Sequence, residues 1–377
     1  MRNIYKIALI LGLLIVGQLA LSVSAYAADD DVYDVITDLR EDTNKAVKDL
    51  KTQLDSIKSD NNDAKVSGEF RFTYQNPQRN STAYNGFDVS RGYITLKKKL
   101  AADGTSFRMT LDVGRVSATA GSAQLYDYLK YAYLDLPLGV PAGIPLTATA
   151  KLGLQHNMWI DWADKVWDNA YIMKQFADNE GIMSSADFGL GLAGTFSLPI
   201  LPDMEYHATL FNGPGYKSSE SNNAKDLSLR LNWTMMSNEA LGTVIAGVYT
   251  NIKEGLDTTT IVSQNSTQAG AIIALKNEQN GTIYAELLTG ANTARNGISG
   301  LSIGGFYNTP LGFGLIGRVD NYDPDSTISD NEKKKTLWGV FIKCSPSVKL
   351  AWDVQTSQPG SNGAITQVAY MHAVAAF

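Results

Sequence analysis

Apolar and polar side chains alternate along most of the chain from Lys65 to the C-terminus. In the segment 69–74, aromatic residues occupy one face and polar residues the other, and the segments 91–97, 227–233 and 348–354 repeat the same two-residue period. Successive side chains of a β-strand point to opposite faces, so this period predicts strands rather than helices. Segments of about ten residues with such alternation, separated by turns, are typical of transmembrane β-barrels.

Sixteen strands are predicted, and closed bacterial barrels have an even number of strands. Connections after odd-numbered strands are mostly long, and those after even-numbered strands are mostly short. A soluble β-sandwich would also alternate, but it has no reason to keep this parity, which outer-membrane barrels show. The sequence therefore predicts an all-β fold, a 16-stranded antiparallel transmembrane β-barrel over residues 64–377. The approximate strand spans are 65–75, 87–100, 104–115, 124–136, 146–155, 186–198, 203–212, 225–236, 242–251, 267–276, 281–289, 298–307, 311–320, 335–343, 347–356 and 363–377.

Residues 1–27 have the pattern of a secretory signal peptide. Two basic residues precede a nearly continuous apolar run from residue 7 to residue 21, and the sequence Ala-Tyr-Ala at 25–27 provides a small-residue cleavage site. The run is shorter than the roughly 20 residues that a spanning helix needs, so cleavage is predicted rather than an uncleaved anchor. Export of a β-barrel predicts the outer membrane of a Gram-negative type of cell.

Residues 28–63 differ in composition from the predicted barrel. Between 29 and 63 there are eleven acidic and five basic residues, and apolar residues recur at heptad spacing. This pattern predicts a periplasmic coiled-coil helix that helps the chain to trimerise. A solvated, partly helical linker is the alternative, because several heptad core positions are polar. The apolar residues predicted on the association face are Ile36, Val47, Leu50, Leu54 and Ile57.

Composition and motifs argue against several other classes of protein. The net charge of −6 does not suit a nucleic-acid binder, and the only cysteine, Cys344, excludes disulfide scaffolds. The three histidines are far apart in sequence, so no metal or cofactor is predicted. A G-x-G-x-x-G match at 189–194 and a G-x-S-x-G match at 300–304 both lie on predicted strands, without the strand-to-helix turn that each chemistry needs. No enzymatic activity is predicted.

Several short stretches of the predicted barrel carry a family resemblance. They are 89–96, 131–135 with 153–155, 211–216 (Phe-Asn-Gly-Pro-Gly-Tyr) with Lys225 and Asp226, 284–286 (Tyr-Ala-Glu), and 318–320 (Arg-Val-Asp) with 323–325 (Asp-Pro-Asp). In this order they resemble the phosphate-selective porin O/P family of outer-membrane porins. The resemblance implies a homotrimer embedded in outer-membrane lipid. The C-terminal Phe377 also resembles the signal that barrel assembly machinery recognises.

The connection 156–185 is the longest one predicted within the barrel. Loops of this length in a compact protein are usually functional or disordered. The resemblance implies a loop after the fifth strand that folds inward and narrows the lumen, and the aromatic content of this one favours order. An external lid or a trimer contact is the alternative. The predicted pore-lining residues are Arg71, Arg91, Arg108, Arg230 and Arg318 on the wall, and Asp161, Asp164, Lys165 and Asp168 on the loop.

The predicted function is passive diffusion of small hydrophilic solutes and ions through a water-filled barrel that the loop narrows. Phosphate preference in the resembled family depends on an arginine ladder and a lysine cluster. Eight basic and six acidic residues are predicted to face the lumen, which is only a sparse version of that pattern, and residues 64–377 as a whole contain 25 basic and 27 acidic residues. A phosphate- or polyphosphate-selective anion channel is therefore an alternative. A structural envelope protein or adhesin is a second alternative, from a different class.

Overall fold

The computed structural model describes residues 64–377 apart from 83, 116–124, 142, 198–202, 221, 258–265, 293 and 295. The predicted signal peptide (1–27) and coiled-coil helix (28–63) lie outside the described residues. The same holds for the proposed association residues Ile36, Val47, Leu50, Leu54 and Ile57. These assignments stay predictions.

Sixteen strands form one closed antiparallel barrel, as predicted. The sheet order follows the chain order, and β1 closes the barrel by pairing with β16, with Glu69 opposite Ala376 and Pro77 opposite Val368. The strands are β1 Ala64–Pro77, β2 Gly86–Lys99, β3 Ser106–Arg115, β4 Leu125–Leu138, β5 Ala148–His156, β6 Ala186–Phe196, β7 Met204–Phe211, β8 Ala224–Asn238, β9 Gly242–Asp257, β10 Ser266–Asn277, β11 Gly281–Ala291, β12 Gly297–Asn308, β13 Phe313–Asp323, β14 Lys333–Ser345, β15 Val348–Pro359 and β16 Thr366–Ala376.

The connections alternate in length around the barrel. Those at 239–241, 278–280 and 346–347 follow even-numbered strands and are tight, whereas 157–185 and 212–223 follow odd-numbered strands and are long. The connection 292–296 is a short exception after an odd-numbered strand. One end of the barrel therefore carries short turns, and we call it the turn end.

The outer face of the barrel is apolar. On β6 every second residue, Phe188, Leu190 and Leu192, points outward, and Ile283 and Leu287 point outward on β11. Each of these residues has between 39% and 60% of its surface exposed. An apolar outer face with alternating inward residues is the arrangement of strands that contact lipid. Among the described residues, no helix is both long enough and apolar enough to cross a membrane.

The buried core lies inside the barrel rather than between layers. The connection 157–185 enters the lumen and contains two helices, α1 (Met158–Trp167) and α2 (Phe176–Asn179), which the sequence analysis did not predict. Met158, Trp159 and Phe176 are completely buried against the inner wall, where Tyr249 and Tyr284 belong to the same cluster. The connection is therefore an internal loop and not an external lid. We call 157–185 the internal loop.

Candidate functional site

Asn157 begins α1 immediately after β5. Its side-chain oxygen accepts the backbone N–H groups of Trp159 and Ile160 at 2.9 and 3.2 Å. A side-chain acceptor at this position satisfies helix donors that otherwise have no partner. At the other end Asp168 adopts a left-handed conformation, and its N–H donates to the carbonyl oxygen of Asp164 at 2.7 Å. These two caps turn the chain into the lumen and then across it.

Helix α1 presents an aromatic face to the barrel wall. The ring of Trp159 lies 4.4 Å from the ring of Tyr249, and the ring of Trp162 lies over Gly247 on the same strand. A Cβ atom added at Gly247 would come within 2.4 Å of the Trp162 ring. The wall therefore leaves room for this indole only because residue 247 has no side chain.

Glu286 on β11 is the main polar anchor of the internal loop. Its carboxylate accepts the indole N–H of Trp159 at 2.9 Å and the amide of Gln175 at 2.8 and 2.9 Å. Only 1% of the Glu286 surface is exposed. A buried carboxylate is stable when it accepts several hydrogen bonds, so this residue fixes two separate parts of the loop to one point of the wall.

Three of the arginines predicted to line the pore donate to backbone carbonyl groups of the internal loop. Arg230 contacts Met158 at 2.6 Å, Arg71 contacts Ala170 at 2.9 Å, and Arg318 contacts Lys174 at 2.6 Å; those acceptors are all carbonyl oxygens. Each of these arginines thus provides a hydrogen-bond donor for a loop carbonyl that would otherwise need water as its partner.

Two of these arginines do not face open solvent. Arg318 is 2% exposed and forms two hydrogen bonds with the carboxylate of Asp320, which is equally buried. Arg230 is 8% exposed. Both lie on the inner face, as the alternation predicts, but the internal loop covers them. They therefore hold the loop, and this differs from the predicted exposure to the pore.

On the wall formed by β2 to β5, basic side chains stack on tyrosine rings instead of donating to backbone carbonyls of the internal loop in the contacts of the described residues. Arg108 lies 4.6 Å from the ring centre of Tyr131, Lys151 lies 4.9 Å from that of Tyr133, and Lys130 lies 4.6 Å from that of Tyr93. Cation–π contacts fix long basic side chains in place without neutralising them. We call the set Arg91, Arg108, Lys130, Lys151, Tyr93, Tyr131 and Tyr133 the basic–tyrosine wall.

Several cations of this wall are balanced by neighbouring carboxylates. One terminal nitrogen of Arg91 lies 3.1 and 2.9 Å from the two carboxylate oxygens of Asp112, which is completely buried and also accepts the hydroxyl of Tyr216 at 3.0 Å. The ammonium of Lys151 lies 2.5 Å from Asp135. Much of the positive charge of the basic–tyrosine wall is thus compensated locally.

Lys130 reaches the lumen because of a β-bulge, and neither the bulge nor this lumenal lysine was predicted from the sequence. On β3, Thr110 pairs with Tyr131 and the next residue, Leu111, pairs with Leu129, so Lys130 is the extra residue. A bulge places two consecutive side chains against one residue of the partner strand. Strict alternation puts Lys130 on the lipid face, and the cost of a lysine there is the signal that could have predicted the bulge.

The internal loop turns acidic side chains toward this wall. Burial and the charge of Asp178 together raise the pKa of Asp164 to about 6, although the charges of Arg71 and Lys130 oppose the shift. An acid on the loop therefore interacts electrostatically with bases on the wall.

Asp161 is one turn of α1 away from Asp164 on the same face. Burial acts to raise the pKa of Asp161, but the charges of His156 and Lys165 outweigh it and hold this pKa well below its ordinary value. The Lys165 ammonium lies 2.7 Å from the Asp161 carboxylate. Asp161 therefore carries a negative charge throughout the ordinary pH range.

The other predicted site residues lie in different places. Arg108, Asp161 and Asp164 lie close enough to Tyr131 to act on it electrostatically, whereas Arg91 lies beside Asp112. The side chains of Lys165 and Asp168 are 69% and 60% exposed, and Asp168 lies 4.0 Å from Lys349 on β15. Within the described part of the chain, no cluster of three or more His, Cys, Asp or Glu side chains is arranged to hold a metal ion.

The fold is similar to that of solved outer-membrane proteins. "High pH structure of Pseudomonas putida OprB" matches with a TM-score of 0.61 and 10% identity, over 84% of this chain and 94% of that one. "Outer-membrane expressed OmpT of Vibrio cholerae" matches with a TM-score of 0.54 and 12% identity, over 83% and 97%. "Anion-selective porin from Comamonas acidovorans" matches with a TM-score of 0.55 and 9% identity, over 83% and 99%. The chain therefore has a porin-like β-barrel fold.

No protein-family model matches this chain. No curated protein matches it either. At identities near 10%, the solved structures are evidence for the barrel architecture, and they do not support the finer resemblance to the phosphate-selective porin O/P family.

Proposed function

We propose that this protein is a general outer-membrane porin through which small hydrophilic solutes and ions diffuse passively. The observation that carries the proposal is the internal loop, which is fixed inside a closed barrel by Glu286, Arg71, Arg230 and Arg318. The acidic face of that loop lies opposite the basic–tyrosine wall. A barrel narrowed in this way restricts passage by size and charge, and it needs no covalent chemistry.

Opposed charges across a narrow aqueous gap give the constriction a transverse electric field. Asp161 and Asp164 supply the negative side. Arg108 supplies most of the positive side, because Arg91 and Lys130 both lie beside the carboxylate of Asp112. Charged rings of this kind tune ion preference. The screening length at physiological ionic strength is about 8 Å, so an ion that passes within this distance of these side chains is subject to their field. The result is a polar filter with modest selectivity.

The phosphate-selective alternative is less well supported by the charges. Arg91 is paired with Asp112 and Lys151 with Asp135, so these cations offer little net positive potential to a passing anion. Arg108 is the cation of the wall that has no carboxylate partner among the contacts of the described residues. The Comamonas acidovorans porin is described as anion-selective, and its likeness to this chain is one of fold alone.

The surroundings proposed for this channel follow from the fold. The apolar outer face supports insertion in outer-membrane lipid, with Phe377 as the element that barrel assembly machinery would recognise. A homotrimer is the proposed assembly, and one matching structure, that of OmpT folded in vitro, is described as a trimer form. The signal peptide 1–27 and the trimerising helix 28–63 complete the proposal.

The reversal potential of the purified protein in a planar bilayer under a salt gradient tests this function. We expect discrete conductance steps and a small reversal potential, which changes little when phosphate replaces chloride. A strong anion preference with block by millimolar phosphate would favour the phosphate channel instead. Absence of conductance in every salt would contradict both and favour a structural envelope protein or adhesin.

A further inference from the structure

A cavity of about 460 Å³ lies beside α1 near the turn end of the barrel. It is bounded by α1 and by the inner faces of β7 to β10, and cavities of roughly 300–1,000 Å³ are typical of small-molecule sites. Its lining includes no residue of β2 to β5, which carry the basic–tyrosine wall, so it is distinct from the constriction described above. The lining residues that matter are Trp162, Lys165, Asp203, Glu205, Arg230 and Lys276.

The cavity has an acidic end and a basic end. Asp203 immediately precedes β7 and Glu205 lies at its start. The Glu205 side chain is 57% exposed, and its carboxylate lies 3.9 Å from the guanidinium of Arg230. Lys276 lies on β10, and its ammonium donates to the carbonyl oxygen of Lys165 at 2.8 Å. Among the contacts of the described residues, Lys276 has no carboxylate partner. Three inter-strand spacings, about 14 Å, separate β7 from β10, so the two charges cannot neutralise each other directly.

The wall between the two ends offers both polar and apolar contacts. Asn232 donates to Glu205 at 3.0 Å and thereby orients that carboxylate. In the described part of the chain, the side-chain oxygen of Asn232 and Nε of Arg230 are buried without a hydrogen-bond partner. Trp162 and Ile245 supply the apolar surface. An occupant that is charged at both ends and apolar in the middle fits this distribution.

We propose that this cavity binds zwitterionic solutes of the short-peptide type. The ammonium of the solute pairs with Glu205 and Asp203, its carboxylate pairs with Lys276, and its side chains pack against Trp162. A neutral sugar would leave both ends without a charge partner, and a simple anion would use only one end. This inference rests on the proposed function, because the solute reaches the cavity through the lumen.

Binding to the purified full-length protein in detergent tests the inference directly. Calorimetric titration with dialanine is compared with titration with N-acetyl-dialanine amide, which has the same backbone and side chains but no terminal charges, and with glucose. We expect saturable binding of dialanine alone. Equal binding of the blocked peptide or of glucose, or no binding of dialanine, would overturn the proposal.

Charge reversal separates recognition from a structural role. We expect Glu205→Lys and Lys276→Glu each to weaken dialanine binding by about tenfold, since each removes one charge-assisted contact. The triple variant Asp203→Asn, Glu205→Lys, Lys276→Glu has a basic and an acidic end in reversed order, so we expect dialanine to bind in the opposite direction and to recover most of its affinity. Weak binding of dialanine to this variant, in protein that is folded, would overturn the proposal.

Lys253→Gln is the matched control. Lys253 is also a lumenal lysine that donates to a loop carbonyl, that of Ile182 at 2.9 Å, but it lies outside the cavity. We expect it to bind dialanine as the wild type does, and an equal loss in this variant would contradict a specific site.

Conductance recordings distinguish failure of this inference from failure of the proposed function. We expect dialanine to reduce the open-channel current of the wild type and of Lys253→Gln. Channels that conduct normally but neither bind nor respond to dialanine would overturn only the zwitterion site. Protein that binds dialanine but never conducts would overturn the porin function and leave the binding site in place.

Discussion

The indole N–H of Trp159 donates to the carboxylate of Glu286 across 2.9 Å, although the two residues are 127 positions apart in sequence. The same carboxylate accepts the amide of Gln175 through both oxygens. One side chain of β11 therefore fixes the beginning of α1 and the residue that precedes α2. The position of the segment 159–175 depends on this group, because residues at both of its ends donate to the same carboxylate.

Replacement of Glu286 by Leu is expected to loosen the internal loop. The Trp159 indole and the Gln175 amide would lose their acceptor in a dry site, at a cost of about 1–3 kcal/mol for each group. We expect a larger and noisier single-channel conductance and a lower unfolding temperature. Glu286→Gln is the matched control, since it keeps the size of the side chain and one acceptor oxygen. Wild-type conductance in Glu286→Leu would show that the carboxylate does not hold the loop.

Replacement of Gly247 by Val is expected to displace Trp162. A Cβ atom at this position lies only 2.4 Å from the indole ring, and overpacking of this kind costs about 1–3 kcal/mol. We expect altered conductance and a lower unfolding temperature. Gly317→Ala is the control, because the nearest atom to its added Cβ is 3.7 Å away. Equal stability of the two variants would contradict the packing of the Trp162 ring against Gly247.

The strands were predictable from the sequence, whereas the interior of the barrel was only partly so. Side chains such as Trp352 and Asp353 on β15 alternate between lipid and lumen. Because every strand must present apolar residues to lipid and polar residues to the lumen, every strand has a two-residue period in its sequence. Helix α1 obeys a different rule. Its Asn157 cap and its aromatic spacing are visible in the sequence, but a ten-residue helix is marginal by itself, and it is stabilised here by the enclosing wall.

Alternation also fails to distinguish an open inner face from a covered one. It places Arg108 and Arg318 on the inner face alike, yet Arg318 lies beneath the internal loop, at a distance of 144 positions from the Lys174 carbonyl that it contacts. Which residues of the inner face are exposed to solvent therefore depends on the path of the internal loop through the lumen. At Lys130 the alternation itself breaks, because the bulge opposite Thr110 shifts the register by one residue.

The pH dependence of ion selectivity is expected to follow Asp164. Its pKa of about 6 lies above the ordinary value for aspartate, so this side chain is charged at pH 7.5 and becomes neutral as the pH falls to 5. We expect the reversal potential of the wild type to shift toward anion preference over this interval, with a midpoint near the pKa. The reversal potential of Asp164→Asn is expected to stay at the low-pH value of the wild type over the whole interval.

Asp168→Asn is the control for this titration, since the Asp168 side chain is 60% exposed and lies 4.0 Å from Lys349 on β15, outside the basic–tyrosine wall. We expect this variant to keep the pH dependence of the wild type. The same pH dependence in Asp164→Asn as in the wild type would assign the titration to another group.

Arg108 is expected to set the anion permeability of the constriction more than any other cation of the basic–tyrosine wall. Its charge is stacked on Tyr131 and hydrogen-bonded to Thr110 at 3.3 Å, and neither contact neutralises it, whereas Arg91 is compensated by Asp112. A unit charge in water acts on an ion about 4 Å away with about 1 kcal/mol, which corresponds to roughly a two- to fivefold change in permeability ratio. We expect Arg108→Gln to lower the anion-to-cation permeability ratio by this factor, and the reversal potential to shift toward cation preference accordingly.

The variant Lys343→Gln provides the comparison for Arg108→Gln, because it also removes one positive charge but lies on an exposed part of β14 near the turn end. We expect its reversal potential to match that of the wild type. Equal shifts in the two variants would mean that total charge, and not the charge at the constriction, governs selectivity. No shift in Arg108→Gln would place the selective step elsewhere in the lumen, because the only wall cation without a carboxylate partner among the described contacts would then have no effect on passing ions.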